Sequence, residues 1–191
     1  IFIIDIEKKD KKVFTLLSRS RTFAPLNLKP LNMSLNSLGL NKAQVEKEIA
    51  SLNILLSNYQ TYYQNLRGVH WNIKGKRFFE LHIKFEELYN AAQEQVDQIA
   101  ERILTLGGVP FNTLASYVKH ATIPVGENVT DDDKAVRLVI DSIVALLPLE
   151  RELLTFSDEI NDEGTNTLIS DFIVEQEKNL WMLKSYLNEA I

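Results

Sequence analysis

An all-α bundle of four long helices is the fold this sequence predicts, and three observations carry the prediction. Glycine and proline are scarce, 7 and 5 of 191 residues, so turns are few and the elements between them must be long. Apolar residues recur at three- and four-residue spacing over runs far longer than a strand. One connection, between the second and third long elements, greatly exceeds the others, which gives the bundle a crossover. With 45% hydrophobic residues, the chain is long enough for one domain with a substantial core.

The elements follow in order. Asn41, with Gln44 three residues on, has the pattern of a capping box. Val45, Ile49, Leu52, Leu55, Leu56, Tyr59, Tyr62, Tyr63 and Leu66 follow at helical spacing and predict a helix over 41–70. Residues 73–76, with Gly75, break it. A second helix is expected over 78–106, ended by Gly107, Gly108 and Pro110. The polar connection 109–129 is expected to hold a short helix around 113–120. A third long helix starts at Thr130, where Asp131, Asp132 and Asp133 suit the positive end of its dipole, and runs to about 160. Pro148 lies inside it; an interior proline costs about 3 kcal/mol in a straight helix, which predicts a kink near 144–148 or a break into two pieces. Asp162, Glu163 and Gly164 form the next turn, and the last helix is expected over 165–190.

Composition excludes several kinds of chemistry. With no cysteine there are no disulfides, thiolate metal sites or cysteine nucleophiles, as suits a reducing interior. The longest apolar stretches fall well short of the ~18 residues of a membrane span, so a soluble, cytoplasmic protein with no membrane partner is expected. Charge is divided unevenly. Residues 1–32 carry seven bases (Lys8, Lys9, Lys11, Lys12, Arg19, Arg21, Lys29) and three acids (Asp5, Glu7, Asp10), a balance of +4, whereas the whole chain carries −5. The remainder therefore stands at −9. Residues 1–40 are expected to be a basic, mobile leader, and residues 41–191 the domain. The chain begins with Ile, and Met33 opens the segment before the first helix. The leader is thus an extension, a processed remnant or sequence upstream of a start at Met33, three readings that stay open.

Five residues carry the candidate chemistry: His70, His82, Glu86, Asp97 and Glu101. At about 100° per residue, with His82 as zero, Glu86 lies near 40°, Asp97 near 60° and Glu101 near 100°, one stripe of the second helix. They do not share a height. The rise from Glu86 to Asp97 is about 16 Å, whereas the ligands of one iron lie a little over 2 Å from it. One helix cannot bring both pairs to one ion, but two copies packed antiparallel about a two-fold axis can, giving two equivalent sites. His70, at the end of the first helix, supplies the second imidazole. Taken alone, an i, i+4 pair of acids, or of His and Glu, is ordinarily a solvated face. The apolar residues around this stripe (Phe78, Phe79, Leu81, Phe85, Leu88, Tyr89, Val96, Ile99, Ile103) predict that some of its charges are buried and need a partner or a metal. His120 has no companion acid at helical spacing and is read as a surface or packing residue. Trp71 and Trp181 are read as core or interface aromatics, with Trp71 also a weak candidate for an electron donor beside the metal.

His70-Trp71-Asn72-Ile73-Lys74-Gly75, followed by Leu81-His82 and Glu86, resembles the signature of the Dps miniferritins, the DNA-binding proteins from starved cells. The preceding Tyr62-Tyr63-Gln64-Asn65-Leu66-Arg67-Gly68, the segment 97–110 and Glu177-Lys178-Asn179-Leu180-Trp181-Met182-Leu183 continue the likeness, which covers about 41–190. The resemblance implies a ferritin-like bundle assembled as a dodecameric shell from two-fold dimers. It also implies a ferroxidase that oxidises Fe2+, preferentially with hydrogen peroxide, and stores the ferric product as a mineral. The site would lie between subunits, with His70, His82 and Glu86 on one side and Asp97 and Glu101 on the other. Many members carry Asp where this chain has Glu86, one methylene longer, which bears on a second, weaker metal position. Zinc is expected as a competitor for the same ligands. The turn before the last helix, with Asp158, Glu159, Asp162 and Glu163, would line three-fold channels and concentrate cations; each of these is equally an ordinary polar turn residue.

Two other classes are weighed. A nucleoid-associated architectural protein would bind DNA through Lys8, Lys9, Lys11, Lys12, Arg19 and Arg21, repeated around a shell. An ordinary ferritin would carry GluXXHis within one bundle, and no GluXXHis occurs here.

Overall fold

The computed structural model describes residues 34–191; the basic residues of the leader and its expected mobility lie outside the described residues. Five helices follow in order: α1 Lys42–Asn72, α2 Phe78–Thr105, α3 Leu114–His120, α4 Asp132–Glu159 and α5 Glu163–Tyr186. The fold is an all-α, ferritin-like four-helix bundle with a short helix in the crossover. No strand occurs among the described residues, which hold only an isolated bridge between Leu35 and Asn41. No helix among them is long and apolar enough to cross a membrane.

Short connections make two helical hairpins, α1 with α2 and α4 with α5, and α1 also packs against α4 and α3. The crossover is long because α2 ends beside the start of α1, while α4 begins beside its end. The connection must therefore climb the bundle. Three asparagines on α1 hold it on the way. The Asn53 amide bonds Val109 O and Phe111 N, Asn58 Oδ1 accepts from Thr122 N and Ile123 N, and Asn65 bonds Pro124 O and Gly126 N. Lys74 N then donates to Thr130 O at 2.9 Å. These side chains replace the backbone pairing that an irregular segment lacks. The interior is a single apolar cluster that includes Leu52, Leu55, Leu66, Phe85, Ile99, Ile103, Val139, Ile143, Leu146, Ile169 and Phe172.

Helix ends obey local chemistry. Asn41 Oδ1 caps α1 by accepting from Ala43 N and Gln44 N, Thr113 caps α3, and Asp131 caps α4 through Lys134 N. Ser34 to Leu40, assigned by sequence to the leader, form a turn in which Asn36 Oδ1 accepts from Leu38 N and Leu40 N. The helix α2 stops at Gly107, whose φ of 89° lets Gly107 N reach Leu104 O and Gly108 N reach Ile103 O, the double bond of a Schellman motif. Asn161 and Asn188, both at positive φ, end α4 and α5 the same way.

Two expectations need correction. Of the two outcomes expected at Pro148, a kink or a break, the break does not occur: α4 is continuous from Asp132 to Glu159. Proline forfeits one i to i−4 bond, and here Pro148 and Val144 are both on the exposed side, where water can serve the freed carbonyl. The last helix begins at Glu163 because Asp162 is its N-cap, with Oδ1 accepting from Thr165 N, and it ends at Tyr186 where Asn188 turns the chain. Asp162 is also 4% exposed and bonded to Arg102 Nη2 at 2.5 and 2.6 Å, so it is no channel-lining residue; Asp158, Glu159 and Glu163 remain exposed.

Candidate metal centre

The hairpin of α1 and α2 brings His70, His82 and Glu86 together: one ligand atom from each lies within 4.8 Å of the other two. His70 is in the last turn of α1, where backbone carbonyls lack intrahelical partners. His82 Nδ1 lies 2.9 Å from one of these, His70 O, and His70 Nδ1 lies 2.8 Å from His82 O. A carbonyl only accepts, so each Nδ1 carries the proton and donates. In the neutral form of each ring the lone pair then sits on Nε2, the nitrogen left to bind a metal. This reciprocal pair fixes both tautomers with backbone atoms alone.

Packing fixes the ring planes. The imidazoles stack at 3.8 Å between centroids with 17° between planes. Phe78 stacks on the far side of His82 at 4.9 Å, and Tyr89 meets His70 edge-on at 5.2 Å. These two aromatics escaped the sequence reading as site residues, although Phe78 is four residues before His82 and Tyr89 seven after it, spacings that share its helix face. His70 is 8% exposed, His82 half-buried and Glu86 exposed, so the trio opens at one end.

Asp97 and Glu101 do not join this cluster. Both stand exposed farther along α2, and among the described residues no ion pair engages Glu86, Asp97 or Glu101. The expected burial of these charges is not found within one protomer. Leu81, Phe85, Leu88, Ile99 and Ile103 are buried, so the apolar face turns to the bundle core while the carboxylates face outward. Phe79 and Ile83, 78% and 57% exposed, stand on the outer face as well, as do Trp71 at 57% and Trp181 at 56%. Neither tryptophan is a core residue. Arg67 lies over the Trp71 ring at 4.6 Å. His120 packs on Phe111 at 4.6 Å, away from the site.

Two further acids are buried, and the sequence reading missed both. Glu48 has no exposed surface; burial first, then the neighbouring Asp162, pushes its carboxyl up to about 8. Burial would raise Asp162 too, but hydrogen bonds from Arg102 and Thr165 outweigh it and hold that carboxyl below the usual range. Glu150 is the second, bonded to Tyr59 at 2.6 Å. The signal for both was position: Glu48 lies between Val45 and Leu52, and Glu150 between Leu146 and Leu153, each inside an apolar stripe.

Comparison with known proteins agrees with this geometry. The ferritin-like domain family matches residues 49–190. The DNA protection during starvation protein of Porphyromonas gingivalis is 38% identical over 148 residues, which span 78% of this chain and 93% of that protein. The crystal structure of a Dps protein from Vibrio cholerae O1, described as one of the ferritin-like diiron-carboxylate proteins, superposes with a TM-score of 0.80 at 45% identity, covering 81% of this chain and 98% of that one. A Dps protein from Bacillus brevis superposes at 0.74 with 33% identity, over 76% and 97% of the two chains. With the bundle, the crossover helix and the histidine pair in place, the chain belongs to the Dps miniferritins of the ferritin-like family.

Proposed function

We propose that this chain is a ferroxidase and iron-storage miniferritin, in which residues 41–191 form the working domain. Two-fold dimers place His70, His82 and Glu86 of one subunit opposite Asp97 and Glu101 of the next, and twelve subunits enclose a cavity for ferric mineral. The observation that carries this reading is the imidazole pair with both Nδ1 atoms engaged on backbone carbonyls, together with Asp97 and Glu101, which join no ion pair among the described residues and lie too far along α2 to reach the same ion. Such a site is half built by each chain. Neutral imidazole suits Fe2+, while carboxylate favours the harder Fe3+. Two ferrous ions each give one electron to hydrogen peroxide, which takes up two protons and leaves as two waters. No hydroxyl radical forms, and that spares DNA. Zinc takes the same ligands without redox chemistry and competes.

Subunit complementation tests the shared site. His82→Ala and Asp97→Ala/Glu101→Ala chains, each assembled alone, lose rapid peroxide-dependent Fe2+ oxidation. Co-assembled from an equal mixture, they recover about a quarter of the sites, because half the dimers are mixed and each of those has one intact site of two. Inactive mixtures that nevertheless form dimers overturn the shared site, and full activity in either parent removes its residues from the chemistry.

A second reading rests on the charge division. The +4 of residues 1–32 against −9 for the rest makes the leader the natural DNA-binding element, through Lys8, Lys9, Lys11, Lys12, Arg19 and Arg21, since phosphate contacts repeated around a shell gain affinity steeply and lose it with salt. In a gel-shift comparison, the chain starting at Met33 loses DNA binding; equal binding removes the leader as anchor.

A further inference from the structure

A buried polar group inside the bundle, apart from the metal centre, lacks a donor. The Tyr59 hydroxyl on α1 donates to Glu150 Oε1 on α4 at 2.6 Å and accepts from Gln176 Nε2 on α5 at 3.2 Å. Tyr59 and Glu150 have no exposed surface and Gln176 has 1%. Two atoms are left over, Glu150 Oε2 and Gln176 Oε1, both buried and without a hydrogen-bond partner among the described residues. Both side chains are held by the same hydroxyl. A carboxylate oxygen and an amide carbonyl oxygen only accept, so neither can serve the other. Each orphan buried acceptor carries a desolvation cost. One proton on Oε2 converts an acceptor into a donor and serves both.

We infer that Glu150 is a buried proton-binding site, a neutral carboxylic acid in the folded bundle whose Oε2 proton serves the Gln176 carbonyl while Oε1 accepts from Tyr59. The surrounding charges agree. From α1 come Tyr59 and Tyr62, both burdened by burial and held un-ionised. On α4 the adjacent cation is Arg151, which is ion-paired with Glu177 of α5, and α5 adds Glu175. The α2 side presents the neutral Gln95, which donates to Glu175 at 3.0 Å. Burial is the largest influence and pushes Glu150 from the ordinary 4.5 up to about 7; the Tyr59 bond and Arg151 lower it, and Glu175 and Glu177 raise it.

The sign of the linkage follows. Below pH 4.5 folded and unfolded chains both hold the proton, and above about 7 neither does. Between the two, only the folded chain holds it, so stability falls as pH rises through that window. The test is infrared spectroscopy on the assembled full chain at about pH 6, taken as wild type minus Glu150→Gln. The expected difference is a protonated-carboxyl C=O band that disappears as the pH passes about 7. A carboxylate signature at that pH, with water or a cation serving the two oxygens, overturns the inference. Tyr59→Phe keeps the acid and removes a bond that favours its charged form, so the midpoint of the band moves up; an unmoved midpoint also overturns the arrangement. If Glu150→Gln fails to assemble, the titrating band is read in Tyr59→Phe against wild type. Thermal midpoints give an independent readout: Glu150→Gln gains on wild type from about pH 5 to pH 8, and a flat difference overturns the site.

Discussion

Carboxylates in two regions of this bundle meet opposite fates. Glu86, Asp97 and Glu101 on the outer face of α2 are exposed and engage no arginine or lysine among the described residues. Glu48 and Glu150, within the four helices, have no exposed surface and are pushed up to about 8 and about 7. The carboxyl group is the same; the solvent differs. Water stabilises the outer charges until a cation replaces it. Inside, desolvation penalises the charge, and a proton is the affordable counter-ion. The outer acids are therefore available as metal ligands, and the inner ones belong to the architecture. Substitutions should divide accordingly, with inner ones costing stability and outer ones costing metal.

The largest expected effect lies inside. Tyr59 has no exposed surface, meets Tyr62 edge-on at 6.2 Å and Phe172 at 5.5 Å, and donates to Glu150. Tyr59→Ala leaves a cavity and strips Glu150 of its donor, at a cost of about 4 kcal/mol in chemical denaturation of the assembled protein. A loss below about 1 kcal/mol would show that the interior collapses around the gap and would break the contrast. Next comes Arg102, which reaches from α2 to Asp162 at the start of α5. Arg102→Ala leaves a buried carboxylate with no counter-charge and costs about 3 kcal/mol. Adding Asp162→Asn should recover part of that loss, because the uncompensated charge goes with it. No recovery would mean that the guanidinium acts only through packing.

What the sequence made legible follows the same inner and outer division. The apolar stripes, the Asn41 cap, the stop at Gly107 and the short crossover helix are local signals, and each appears where spacing and turn chemistry placed it. The histidine pair was legible as a candidate because motif and spacing both pointed to it. Its reciprocal backbone bonds were not, since they depend on how α1 ends against α2. Asn53, Asn58, Asn65, Glu48 and Glu150 read as polar gaps in apolar faces. Their partners lie far away in sequence, 91 residues between Tyr59 and Glu150 and 61 between Asn65 and Gly126, and no short-range pattern encodes that pairing. The burial of Asp162 was hidden for the related reason that its partner, Arg102, is 60 residues back. Pro148 differs in the other direction. A local rule allowed a kink or a break, and the packed face of α4, with Ile143, Leu146 and Leu153 all buried, keeps the helix in one piece.

The smallest effect on folding gives the sharpest test of the outer region. Glu86 is exposed and lies in no ion pair among the described residues, so Glu86→Gln should change metal-free stability by less than about 0.5 kcal/mol. Its carbonyl oxygen remains but its charge does not, and the proposed ligand set loses one of its three carboxylates. A metal that binds only the folded state stabilises it in proportion to the logarithm of its affinity. Zinc is the suitable probe because it needs no oxidant. With saturating Zn2+, each tenfold loss of affinity in Glu86→Gln lowers the metal-induced stabilisation by about 1.4 kcal/mol. Equal zinc stabilisation of variant and wild type removes Glu86 from the ligand set. A metal-free loss as large as that of Tyr59→Ala would instead show that this carboxylate is structural, and the division between outer and inner acids would fail at the residue where it is drawn most clearly.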